Sequence, residues 1–203
     1  MFTLPGFWLF ALSVLLINIS PGATFLAVGS NAISKGVKAG IVTALGADTA
    51  LLFYAILCRL GLSAVITASP FLFNAIRYAG AGYLLYCAVK AFTQKPFDIT
   101  QVNTKKQADH FKEGLLINLL NPFTPVLFLT LIPQFLPAKA DSSLVLFMGL
   151  WICLSALVVN LIWAFLFGFA GKYFVSKPAF WKWQGPVTGI LFLYLAIRFA
   201  FFK

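Results

Sequence analysis

Residues 16–25 read LINISPGATF and stand in the middle of the first long apolar run of the chain. Asn18, Ser20, Pro21 and Gly22 suit a helix interior badly: proline removes a backbone donor and collides with the carbonyl four residues back. The triplet Leu-Ile-Asn returns one hundred positions later in LINLLNPFTP, residues 116–125, and again a proline follows. Pro21 disturbs the carbonyl of Ile17, and Pro122 that of Asn118. The cost of such breaks depends on what surrounds them.

The surroundings are hydrocarbon. Of 203 residues, 61% are apolar and only 10% charged, with a mean hydropathy of +0.94. A soluble domain needs more charge to cover its surface, so the chain reads as an integral, all-α, polytopic membrane protein. At roughly 20 residues per span, it holds about six spans and no separate soluble domain. Hydropathy places them near residues 4–27, 39–58, 70–91, 114–136, 143–170 and 184–201. The segment 61–70, GLSAVITASP, belongs to either neighbour or forms a turn. The first run has no preceding Lys or Arg and no small-residue cleavage site, so it is expected to be retained as a helix. Trp8, Trp151, Trp181 and Trp183 read as interfacial belts.

The net charge of +10 is spread between apolar runs rather than gathered on a polar face. It therefore signals topology and no nucleic-acid partner. Loop one carries Lys35 and Lys38, loop three Lys90, Lys95, Lys105, Lys106 and Lys112, and loop five Lys172, Lys177 and Lys182. Those ten face four on the other side, Arg59, Lys139, Arg198 and Lys203. The odd loops are thus expected in the cytoplasm and both termini outside. Cys58, Cys87 and Cys153 are isolated, with no CxxC and no nearby histidine, and carry no metal or disulfide signal. No P-loop, zinc signature or nucleophile elbow is present, so neither a cofactor nor an enzymatic activity is expected.

The longest loop, residues 93–113, divides the single domain 1–203 into repeat one (1–92) and repeat two (114–203). Three spans in each half force opposite topologies. Besides the Leu-Ile-Asn echo, YLLYCAVKAF (83–92) resembles LFLYLAIRFAF (191–201), pairing Tyr86 with Tyr194 and Lys90 with Arg198. Two echoes at similar offsets point to inverted three-helix repeats, a transporter architecture.

Freed backbone groups in hydrocarbon cost several kcal/mol unless satisfied. Ser20 and Asn121 are good N-caps, and proline suits the first helical position after a cap. Each break is therefore expected to hold the positive end of a half-helix inside the membrane, where it attracts an anionic group. The alternative is a packed proline kink without a ligand. Pro125 makes the fourth span more irregular still, and Pro133 ends it.

Asp48 is the one acid of five expected near the bilayer midplane; Asp98, Asp109, Glu113 and Asp141 fall in loops or at span edges. A carboxylate there costs roughly 2.5–3.5 kcal/mol and is a functional-site hypothesis by default. Gly36, Gly40, Ala44 and Asp48 form a small-residue stripe, which turns Asp48 towards the bundle. Desolvation disfavours its charged form, so it suits proton uptake and release. The alternative is a structural acid, hydrogen-bonded or paired with Arg77. Arg77 itself snorkels outward, pairs with Asp48, or binds a substrate carboxylate. Asn160 roughly corresponds to Asp48 in the second repeat, and His110 is expected to be solvated in the long loop. Gly185 and Gly189 offer a close-packing face for a homodimer.

SPGATF, KGVKAGIVTALGADTA (35–50), IRYAGAGYLLYCAVKAF (76–92) and LINLLNPFTPVLFL together resemble the lysine exporter superfamily, on its homoserine/threonine-type branch. The likeness covers nearly the whole chain in order and length. It implies a six-span bacterial inner-membrane exporter of amino acids, driven by proton antiport and often dimeric. By position, Asp48, the expected proton-coupling residue, matches the family's span-two acid, and Pro21, Gly22, Asn121 and Pro122 match its broken-helix motifs. One departure matters: the family usually reads Pro-Gly-Pro, and Ala23 replaces the second proline. The expected substrate site comprises Asn18, Ser20, Pro21, Gly22, Asn118, Asn121 and Pro122, with Arg77 as a carboxylate partner and no metal. Two alternatives are heavy-metal efflux, which lacks soft ligands here, and a thiol–disulfide carrier, which needs cysteines where Ser20 and Asn121 stand.

Overall fold

The computed structural model describes residues 4–20, 22–68, 70–93, 109–136, 141–175 and 178–201, and among them every regular element is a helix. In chain order these are α1 (Leu4–Ile19), α2 (Ala23–Lys35), α3 (Val37–Ala68), α4 (Pro70–Thr93), α5 (His110–Leu119), α6 (Phe123–Phe135), α7 (Ser142–Val175) and α8 (Pro178–Phe201). Two stretches, Val37–Gly61 and Ser142–Gly171, are each long and apolar enough to cross a membrane. The pairs α1–α2 and α5–α6 pass the same test when taken together, and they bend by 51° and 57° at their breaks. That makes up to four spans by length and composition, consistent with a polytopic membrane protein. The two breaks fall where the prolines placed them.

Several boundaries differ from expectation. The first inter-helix loop shrinks to Gly36, whose φ of +91° is a conformation glycine reaches without a Cβ penalty. Lys35 and Lys38 flank that turn. Residues 61–68 continue α3, so GLSAVITASP is mostly helix. His110 opens α5 rather than lying in a loop: Asp109 caps that helix, its side chain accepting from the Lys112 amide at 3.3 Å. His110 is half-buried there, 3.8 Å from Glu113.

One core runs through the bundle, with Phe10 and Val14 of α1, Leu84 of α4, Phe128 and Leu131 of α6, Met148 and Ile152 of α7, and Leu195 of α8. Smaller clusters join α2 to α3 and α7 through Val28, Ala44 and Ala164, and through Phe25, Ala32 and Phe167. Large apolar side chains such as Leu60, Phe169 and Phe201 are exposed, as a lipid-facing surface allows. Trp8 is exposed too. Trp151 is half-buried and packs edge-on against Phe7 at 5.1 Å, so it is not a free belt residue. Trp181 and Trp183 have side chains outside the described part.

Small residues set the close approaches. A Cβ on Gly46 would stand 2.0 Å from the Phe111 carbonyl oxygen, and one on Gly114 would stand 2.0 Å from that of Thr43. Each glycine therefore admits the other helix's backbone, and α3 and α5 cross in direct contact. Gly40 and Ala44 of the expected stripe are buried against α2 and α7. Gly185 and Gly189 face Ala91 and Phe92 of α4. Packing within the chain thus uses the face expected to mediate dimerisation.

Candidate functional site

Two helix breaks meet in the middle of the bundle. At the second, the Asn121 side chain accepts from the Phe123 amide at 3.0 Å, and its carbonyl accepts from Thr124 at 3.1 Å. Pro122, expected as the first helical residue, holds the cap position of α6, one residue later than expected for the cap, and the Asn121 side chain reaches past it to the first helical amide. The first break departs from expectation. Gly22, not Ser20, occupies the cap position of α2, in extended conformation and with no side-chain cap. Ala23 is the first helical residue, the place the second proline of the usual family pattern would take. Pro21 lies outside the described residues.

Between the breaks lies a cavity of about 110 Å3. Asn18, Ser20, Gly22 and Thr24 border it from the first break, Asn118, Asn121 and Thr124 from the second, and Asn160 from α7. The structure therefore brings together the two asparagines of the repeated triplet. Asn118 is buried; its Nδ2 donates to the Ala47 carbonyl at 3.0 Å, and its Oδ1 accepts from Thr24 at 2.8 Å. Asn18 donates to Ser155 of α7 at 2.9 Å. These bonds orient the amides and satisfy part of their polarity, so the walls offer amide, hydroxyl and backbone groups but no charge. A larger cavity of about 440 Å3 adjoins it and shares Ser20, Gly22, Ala23, Asn121 and Phe123, with Pro122 also on its wall.

Asp48 is 7% exposed, and its Oδ1 has no hydrogen-bond partner among the described residues. It borders neither cavity. It connects to the site through its neighbour Ala47, whose carbonyl holds Asn118, and it lies within electrostatic reach of Cys153 in α7. A buried carboxyl oxygen without a partner is costly, which suits a group that exchanges a proton. Arg77 belongs to α4, but its side chain lies outside the described part, so its pairing with Asp48 does too.

Sequence reasoning missed Thr24, Thr124 and Ser155, whose partners or facing walls come from distant helices. It also missed a polar cluster at the far ends of α2 and α5. There the Asn31 amide donates to Thr43 and to Glu113, both at 2.9 Å. Glu113, expected at a span edge, instead ties the second half of one broken pair to the first half of the other. Among the described residues, no group of three or more His, Cys, Asp or Glu side chains is placed to hold a metal ion.

The LysE type translocator family matches residues 15–202 of this chain. The uncharacterized membrane protein YrhP of Bacillus subtilis (strain 168) is 33% identical over 193 residues, covering 89% of this chain and 91% of that protein. The leucine efflux protein of Salmonella typhimurium (strain LT2) is 30% identical over 204 residues, covering 96% and 94%. That of Enterobacter sp. (strain 638) is 28% identical over 211 residues, covering 96% and 95%. No solved structure matches. The chain belongs to the LysE type translocators, a family of transporters, and its relatives support amino-acid export across a membrane.

Proposed function

We propose that this translocator exports a small neutral amino acid, leucine or a homoserine/threonine-like one, in exchange for protons. The observation that carries the reading is the convergence of Asn18 and Asn118, with the ends of α2 and α6, on one uncharged polar cavity. A zwitterionic substrate needs what that cavity supplies. The α2 end, with Gly22 at its cap, points backbone amides at a carboxylate. Asn18, Ser20, Asn118 and Asn121 offer acceptors and donors for the ammonium and any side-chain hydroxyl. Pro122 stands at the second break, just before α6, and Pro21 is the matching proline of the first in sequence. Asp48 takes the counter-proton. It is separated from the substrate by one backbone step, Ala47, through which its charge state is felt at Asn118. Arg77 serves as a second carboxylate partner.

The proposed setting is the bacterial inner membrane. There the chain forms six spans in two inverted repeats, with the lysine-rich loops in the cytoplasm, both termini periplasmic and two copies per assembly. The packing of α3 on α7 and of α4 on α8, counterpart on counterpart, supports the repeat. The test is transport into inverted membrane vesicles of leucine, threonine and homoserine, with cadmium as a control, under an imposed pH gradient. Saturable uptake of a neutral amino acid that collapses with the gradient is expected, and Asp48→Asn should abolish the pH dependence. If Asp48→Asn transports with an unaltered pH profile, its coupling role is wrong.

A further inference from the structure

The breaks account for one wall of the larger cavity but not for the other, which is a face of α4. Tyr83, Cys87 and Lys90 line it at spacings of four and three, one stripe of a helix. At about 440 Å3 this chamber falls within the range of small-molecule sites, about 300–1,000 Å3. The inter-break cavity, at about 110 Å3, does not. Phe123 borders both. Its ring stacks on Tyr83 at 6.2 Å and stands 5.5 Å from Phe192 of α8. Phe123 thus belongs to the shared wall of a roomy chamber and a tight one.

Among the described residues, Lys90 is the one charged group lining either chamber. No described carboxylate lies within ion-pair distance of it. Lys90 is itself exposed, at the mouth of a concavity whose other walls include Ile17, Leu26 and Phe192. A single cation beside low-dielectric walls concentrates anions.

We infer that Lys90 recognises the substrate carboxylate in an entry chamber on the α4 side of Phe123. The amino acid docks there with its carboxylate at the Lys90 ammonium and its apolar side chain against Leu26, Phe123 and Phe192. It then passes Phe123 into the cavity between the breaks. The inference rests on the reading of the chain as an amino-acid exporter, and it adds a specificity residue that the sequence assigned to topology alone.

The test compares wild type, Lys90→Gln and Lys90→Arg in inverted vesicles, with leucine as substrate and leucinamide as inhibitor. Lys90→Gln should raise the KM for leucine about tenfold, the scale of a charge-assisted hydrogen bond, with Vmax little changed. Lys90→Arg should restore most of it, and inhibition by the carboxylate-lacking amide should not move. An unchanged KM, or equal losses for leucine and leucinamide, would overturn the inference. A second measurement is independent of transport. Cys87 is half-buried in the chamber, whereas Cys58 and Cys153 are buried elsewhere. An anionic thiosulfonate should modify Cys87 faster than a cationic one, and Lys90→Gln should erase that preference. If the preference holds but no neutral amino acid is carried, the exporter reading fails and the anion chamber stands. If there is no preference in wild type, the Lys90 assignment fails whatever transport does.

Discussion

At the second break Asn121 folds its side chain back onto the amide of Phe123, whereas at the first break Gly22 stands at the cap and offers no side chain at all. The helices around them are packed on different neighbours. The half before the second break, α5, is locked to α3 by the reciprocal contacts of Gly46 and Gly114. The half after it, α6, is covered by α4, where a Cβ on Gly80 would meet Thr130 Cγ2 at 2.0 Å. α2 also packs closely, on α3 and α7, where a Cβ on Gly40 would meet Ala32 at 2.8 Å and one on Gly171 would meet Ile33 at 2.4 Å, but towards α8 it has no comparable contact among the described residues and the larger cavity opens there. On this account the second break is closed by its own asparagine, and the first presents a helix end with glycine at its cap to the ligand.

The largest expected effect falls on the second-break side of that comparison. Gly114→Val drives a side chain into the Thr43 carbonyl and should cost about 3 kcal/mol or more, read as lost folded yield and a lowered Tm in detergent. Gly22→Ala, whose added Cβ meets nothing within 4 Å, should leave Tm unchanged. Next comes the asparagine pair. Asn118→Ala removes two bonds, to the Ala47 carbonyl and from the Thr24 hydroxyl, and should cost roughly 1–3 kcal/mol, against about 1 kcal/mol for Asn18→Ala, which loses one bond to Ser155. Equal losses would make the two breaks energetically equivalent and end the distinction. Asn121→Ala should cost about 1 kcal/mol as a lost cap. Smallest in stability is Ala23→Pro, since proline is accepted at the first helical position. It removes an amide from the Gly22 end of α2, so leucine KM should rise while Tm holds.

How much of this could be read beforehand depends on sequence distance. Pro21, Gly22, Asn121 and Pro122 announce a break by local chemistry, and the breaks lie where they stand. Asp48 is recognisable because a lone acid in an apolar run has few explanations, and its burial follows. The caps fall two residues later than expected at the first break and one residue later at the second, because Ser20 and Gly22 are both acceptable caps and only the path of the chain chooses between neighbouring positions. The Thr24–Asn118 and Asn18–Ser155 bonds join positions 94 and 137 residues apart, and no local spacing encodes such a pairing. The roles of Gly46 and Gly114 were hidden for the same reason: each is needed by the backbone of the other's helix. Gly185 and Gly189 did advertise a close contact, but composition cannot say whether the partner is another copy or α4.

The central claim, that the Gly22 end of α2 faces the transported substrate, is tested most directly by the substitution Ala23→Cys, on the walls of both cavities, in a Cys87→Ser background. The rate at which its thiol is modified by a small thiosulfonate is then measured in inverted vesicles with and without saturating leucine. The account predicts that leucine slows the reaction, with half-protection near the transport KM. Leucine that is carried while the Ala23→Cys thiol reacts at an unaltered rate would contradict it.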